Sequence, residues 1–148
     1  MKIAVACDHG GYALKSVVLE TVAAEGHQAL DLGTTGMESV DFPDFAEKAG
    51  AALLDGRADR AILMCGSGVG ICIAANKIKG VYASVCHDTY SAHQGVEHDH
   101  MNALCLGGRI IGEELTKEIV KAFLAAVPLE AERHLRRVNK IKSIETRN

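Results

Sequence analysis

The chain has 148 residues, 48% hydrophobic and 24% charged, a composition that argues against disordered and fibrous classes and for one domain burying roughly 68 to 70% of its unfolded surface. A formal net charge of -3 argues against a generally basic nucleic-acid binder. The charge is uneven, however: residues 133 to 148 hold six of the 16 Lys and Arg against one of the 19 acids, so this tail is +5 and the first 132 residues are -8.

Lys2 to Cys7 is a short apolar run that meets Asp8 and then His9-Gly10-Gly11, the pattern of a buried strand entering a loop. Leu14, Val17, Val18, Thr21 and Val22 recur at spacings of three and four between Tyr12 and Glu25, and Gly26 follows, which predicts an amphipathic helix with its stop. The alternation continues with strands over Gln28 to Leu32, Arg60 to Cys65, Val81 to Cys86 and Ala103 to Leu106. Helices are predicted over Pro43 to Leu54, Gly70 to Lys77, Asp88 to Val96 and Glu113 to Ala126. Five strands alternating with helices point to an α/β fold, a Rossmann-like three-layer α/β/α sandwich around a parallel sheet. Ligands of such sheets sit beyond the carboxyl ends of the strands, which directs attention to Asp8, to Cys65 to Gly70, and to the segments after Cys86 and Leu106. The five cysteines include no CxxC pair, and four lie in apolar runs, so reduced thiols are expected rather than a disulfide framework. Met1 to Ala6 is too short for a signal peptide or a membrane span, and a cytoplasmic location without membrane contact is expected.

The densest motif is Cys65-Gly66-Ser67-Gly68-Val69-Gly70, set between a predicted strand and a predicted helix. Glycines allow close backbone approach, and amides that open a helix make an anion hole with the positive end of the dipole behind it. No Gly-Lys-Ser/Thr follows, and Ile71 stands where a dinucleotide loop has its third glycine, so neither nucleotide reading fits. A tight turn that needs glycine for its geometry alone is the alternative. Cys65 favours chemistry, because a thiol at the mouth of an amide-lined loop can serve as nucleophile or general base. Cys7, Cys72, Cys86 and Cys105 lack that setting and read as structural.

Asp8 and His9 place a carboxylate and an imidazole at the same sheet edge, with helix capping as the other use of Asp8. Four of the seven histidines lie between His87 and His100, but the spacing of His93, His98, Asp99 and His100 contains no HExxH and gives no metal set. In the tail, drawn as a helix from Glu130 to Ile144, Leu135, Val138 and Ile141 share one arc and Arg133, Arg137 and Lys140 another. Arg133 and Arg137 stand one turn apart, a pair able to clamp a phosphate through charge-assisted hydrogen bonds. A solvated basic face or a nucleic-acid patch are the alternatives, but the tail has no aromatic residue on which a base would stack.

In chain order, DHGG, DFPDFA at Asp41 to Ala46, CGSGVGICIAANK at Cys65 to Lys77, EHDHMNALCLGGR at Glu97 to Arg109 and ERHLRRV at Glu132 to Val138 resemble the type B ribose-5-phosphate isomerases. That family also includes subunits of galactose-6-phosphate isomerase. The resemblance spans nearly the whole chain and implies a single domain over 1–148, whose basic helical tail, 128–148, packs at a dimer interface. It implies a homodimer or a dimer of dimers, active sites built from both subunits, and an aldose–ketose isomerisation of a phosphorylated sugar through an enediolate, with no metal, nucleotide or other cofactor and no nucleic-acid partner. Ribose 5-phosphate and ribulose 5-phosphate, intermediates of the pentose phosphate pathway, are the expected pair. By that resemblance Cys65 is the general base, Ser67 relays a proton, and His98 opens the furanose ring. The amides of Gly66, Gly68, Val69 and Gly70 hold the enediolate oxygens and Asp8 the sugar hydroxyls. His9, Arg109, Arg133 and Arg137 correspond to the phosphate-binding set.

Two residues depart from the family's pattern. Asp99 follows the ring-opening histidine, where many members have an Asn suited to the reacting oxygens, and a carboxylate there repels an enediolate unless it is protonated or turned away. Phe42 takes the place of a common tyrosine and removes a hydroxyl. Both leave open a hexose 6-phosphate such as galactose or allose 6-phosphate, a tetrose phosphate, or a non-catalytic sugar-phosphate binding module.

Overall fold

The computed structural model describes residues 1–148. Five strands, β1 (Lys2–Cys7), β2 (Gln28–Asp31), β3 (Arg60–Cys65), β4 (Ala83–Val85) and β5 (Ala103–Gly107), form one sheet in the order β2-β1-β3-β5-β4. All neighbours are parallel, with Val5 opposite Ile62 and Leu63 opposite Cys105. Six helices complete the chain: α1 (Tyr12–Ala24), α2 (Phe42–Leu54), α3 (Val69–Asn76), α4 (Thr89–Asp99), α5 (Glu113–Ala125) and α6 (Glu132–Thr146).

Strand alternation divides the core in two. Ile3, Val5, Ile62, Met64, Leu104 and Leu106 point to one face, where α1, α4 and α5 cover them with Val18, Val96, Ile119 and Phe123. Each such fully buried side chain contributes about 1.5–3 kcal/mol of burial free energy. The opposite face carries Ala4, Ala6, Ala61, Ala103 and Cys105, whose small side chains let α2 and α3 lie close to the sheet. Arg60 closes the first layer by donating to the carbonyls of Phe123 and Ala126 at 2.6 and 2.7 Å, which satisfies acceptors left open where α5 ends.

Three elements depart furthest from the sequence reading, the others by no more than one residue at an end. The fourth strand spans three residues rather than six. It is an edge strand, and the Asn76 side-chain amide takes both the N–H and the carbonyl of Ala83, each at 2.9 Å, so a side chain occupies the edge that another strand would use. Helix α4 starts one residue later than the expected Asp88, which is its N-cap and accepts from Ser91 N–H at 2.7 Å. It then runs three residues past Val96 to a stop at His100, whose φ of 57° is left-handed. The tail helix begins at Glu132 rather than Glu130, because Leu129 N–H is held by Glu97 O at 2.8 Å.

The face that α6 buries also differs. His134 and Val138 pack inward, whereas Leu135, Ile141 and Ile144 stay exposed. The far end of α6 is tied down by Glu145, which accepts from Gly80 N–H at 2.8 Å and from the Tyr82 hydroxyl at 3.0 Å. No helix is long and apolar enough to cross a membrane.

Candidate active site

At the carboxyl edge of the sheet three loops meet backbone to backbone. Asp8 Oδ1 accepts from the amides of Gly10 and Gly11 at 2.8 and 3.1 Å, which folds the first loop back onto β3. A Cβ on Gly11 would lie 2.5 Å from the Met64 carbonyl carbon, and one on Gly108 would lie 2.3 Å from Gly10 O, so only glycine lets these strands approach. His87, which sequence reasoning did not single out, accepts from Gly107 N–H at 2.9 Å and holds the end of β5.

Cys65 ends β3 with 4% of its surface exposed, and the Gly68 amide donates to its Sγ at 3.2 Å. Gly68 adopts φ 80°, the turn that starts α3. Ser67 Oγ accepts from Val69 N–H at 3.2 Å, which leaves the hydroxyl proton free to be donated. The amides of Gly66, Ser67 and Gly70 have no acceptor in the chain. They lie in the loop that follows the thiol and opens α3, whose positive end stabilises negative charge on a bound molecule.

Arg109 binds this loop through its backbone, donating to Gly66 O at 3.0 Å, and its guanidinium reaches within 3.1 Å of the point where a Gly66 Cβ would stand. His9 accepts from Val40 N–H at Nδ1, 3.2 Å away, so its proton sits on Nε2. The Phe42 ring lies against Gly70, where a Cβ would come within 2.7 Å of the ring. It therefore walls the amide loop, a placement that no spacing in the sequence announces.

His98, Asp99, Arg133 and Arg137 lie elsewhere. Helix α4 starts beside the carboxyl edge and runs antiparallel to the strands, so at about 1.5 Å per residue it carries His98 about 14 Å down, to the amino edge of the sheet. There the His98 ring stacks on that of His134, with centroids 4.1 Å apart and planes 14° from parallel. Gln94 Nε2 lies 2.9 Å from His98 Nδ1 and 3.4 Å from Asp99 Oδ2. Arg133 and Arg137 are exposed and form no ion pair, whereas Arg136 between them is held by Glu132 at 2.8 Å. Burial holds the proton affinity of His134 below the usual histidine value, helped by His98, Arg133 and Arg137 and opposed by Asp99.

One chain thus carries two groups at opposite ends of its sheet: a thiol in an amide-lined loop with Asp8, His9 and Arg109, and a histidine pair beside two free arginines. The remaining histidines do not converge on a metal site, since His93 bonds Glu97 at 3.1 Å and no group of three or more His, Cys, Asp or Glu side chains is arranged to hold an ion. A hydrogen bond from the Cys105 thiol, aided by the Val85 amide and opposed by burial, brings the half-buried Cys72 thiol down to about 7.

The family model described as Ribose/Galactose Isomerase matches residues 3–141. Ribose-5-phosphate isomerase B of Escherichia coli is 43% identical over 99% of this chain and 97% of its own length. D-erythrulose-4-phosphate isomerase of Pectobacterium atrosepticum is 39% identical over 85% of this chain and 84% of its own. The solved structure of Clostridium thermocellum ribose-5-phosphate isomerase B superimposes with a TM-score of 0.95 at 44% identity, covering 99% of each chain.

Proposed function

The chain belongs to the ribose/galactose isomerase family as a type B ribose-5-phosphate isomerase, an aldose–ketose isomerase of phosphorylated sugars, and from that premise we propose that it interconverts ribose 5-phosphate and ribulose 5-phosphate at a site two copies complete. One observation carries the reading: a buried thiol that accepts from the Gly68 amide in a loop whose Gly66, Ser67 and Gly70 amides are unpartnered, with the free arginine pair at the far end of the same sheet. A two-fold pairing sets the same patch of each chain against its partner, so laying the α4–α6 end of one copy over the Cys65 loop of the other creates two complete sites. The exposed Leu135, Ile141 and Ile144 on α6 give that pairing an apolar surface to bury.

In this mechanism Arg133, Arg137, Arg109 and His9 hold the phosphate, and Asp8 takes a sugar hydroxyl. His98 gives a proton to the ring oxygen as the C1–O4 bond breaks. Cys65 as thiolate removes the C2 proton of the open aldose, and the free amides of Gly66, Ser67 and Gly70 stabilise the enediolate oxygens as charge develops on them. Ser67 moves a proton between O1 and O2, and the Cys65 thiol returns its proton to C1, which leaves the ketose and regenerates the base. Fixed N–H donors supply the electrophile, and the proposed reaction needs no metal.

A second substrate, D-erythrulose 4-phosphate, is supported by the 39% identity to the Pectobacterium isomerase named for it, and the departures at Phe42 and Asp99 leave room for it. The test is an isomerase assay with EDTA over tetrose, pentose and hexose phosphates. Turnover of ribose 5-phosphate at the highest kcat/KM is expected. Exclusive turnover of the tetrose phosphate would transfer the assignment to the second substrate, and no turnover of any would remove both.

A further inference from the structure

We propose that Gln94 and His134 are positioning residues that clamp His98 for ring opening, and that Asp99 acts in the same clamp by orienting Gln94. The inference rests on the ring-opening role proposed for His98. Two contacts of different kinds fix the imidazole. Its face lies against His134 at 4.1 Å and 14°, close to a parallel stack. Its Nδ1 lies 2.9 Å from Gln94 Nε2.

The Gln94 amide could present either its N–H or its oxygen to His98. Asp99 decides between them, because a carboxylate accepts only, and its Oδ2 lies 3.4 Å from the same Nε2. Gln94 therefore donates to Nδ1, and the His98 proton sits on Nε2. Asp99, whose charge would oppose an enediolate, is turned toward an amide on its own helix.

His134 is unsuited to proton transfer itself. It is 3% exposed, and its Nε2 is buried without a hydrogen-bond partner. The charged and titratable groups around it are His98 and Asp99 from α4 and Arg133 and Arg137 from its own helix, and their balance with burial keeps it neutral. A neutral ring is a stacking surface that adds no third cation beside the two arginines. During ring opening Nε2–H of His98 goes to O4 as the C1–O4 bond breaks, and the proton lost from O1 replaces it through solvent. The imidazole is neutral before and after.

The clamp serves ring opening and not the enediolate step, and the two can be measured separately. Ribose 5-phosphate reaches the enzyme as a furanose, whereas ribulose 5-phosphate has its O5 esterified and stays open. Conversion of ribose 5-phosphate needs both steps, and deuterium entering C1 of ribulose 5-phosphate from heavy water needs only the second. In the full-length protein, His134→Ala and Gln94→Ala are expected to slow ribose 5-phosphate conversion about 10- to 100-fold while deuterium entry changes less than about threefold. His134→Phe, which keeps a stacking face, is expected to recover most of the loss. Equal losses in both measurements, or no loss in either, would overturn the clamp. If His134→Ala is too unstable to assay, Gln94→Ala decides by the same comparison, and a His134→Phe protein that loses as much deuterium entry as ribose 5-phosphate conversion would overturn the clamp as well. An unmodified protein that does neither reaction would refute the proposed function instead.

Discussion

Cys65→Ala is expected to lose both isomerisation and deuterium entry by about 10²- to 10⁴-fold while the protein stays folded. The thiol stands at the start of the glycine loop, where the Gly68 amide donates to it, and removing it leaves the loop's backbone contacts, such as Gly108 N–H to Cys65 O at 2.8 Å, in place. The loss of one buried sulfur costs about 1 kcal/mol of stability, too little to unfold a domain of this size. Cys65→Ser tests the chemistry at nearly constant volume, since a hydroxyl in the same position is a far weaker base, and it is expected to be as inactive as alanine. An active and folded Cys65→Ala protein would remove the thiol from the mechanism. Cys72, whose thiol sits at about 7, is the control. If it were the base, Cys72→Ala would carry the loss instead.

Arg133→Ala combined with Arg137→Ala is expected to lower kcat/KM by about 10²- to 10⁴-fold, because each charge-assisted hydrogen bond to phosphate is worth about 1.5–3 kcal/mol. Most of the change belongs in KM, since the phosphate is bound alike before and during reaction. Thermal stability should hardly move, as both side chains are exposed and neither is ion-paired. Arg136→Ala is the internal comparison. Its guanidinium already serves Glu132, so it is expected to cost little activity, and an equal loss for all three arginines would reduce the pair to a diffuse basic surface.

The strands of the central sheet were legible because burial on both faces writes them as unbroken apolar runs, and Lys2–Cys7 and Arg60–Cys65 end where their runs end. Edge strand β4 was overdrawn for the opposite reason. Val81 and Cys86 are buried by packing without pairing as strand, and hydropathy does not separate the two. The arc of Leu135, Val138 and Ile141 misplaced the buried face of α6 because a histidine, His134, fills the position beside Val138. Among the site residues, the glycine loop announced its own geometry, since three glycines between a strand and a helix have few other uses. The division of the site was implicit in the alternation itself. A helix that returns from the carboxyl edge must end at the amino edge, so any residue in the last turn of α4 stands far from Cys65. Ending that helix at Val96 hid the consequence, and the left-handed His100 where it stops gives no signal in hydrophobic spacing. The roles of Gln94 and Phe42 depend on contacts across turns and loops that residue order does not encode.

The central claim, that one site takes its thiol from one copy and its arginines from another, is tested most directly by mixing two inactive proteins. Cys65→Ala chains and Arg133→Ala/Arg137→Ala chains, unfolded together and refolded at equal concentration, would pair at random. Half the dimers would then be mixed, each with one site carrying every lesion and one carrying none, so about a quarter of the unmodified activity is expected to return. Mixed dimers that form, as read by mass spectrometry, and yet show no activity above the separate variants would contradict the account.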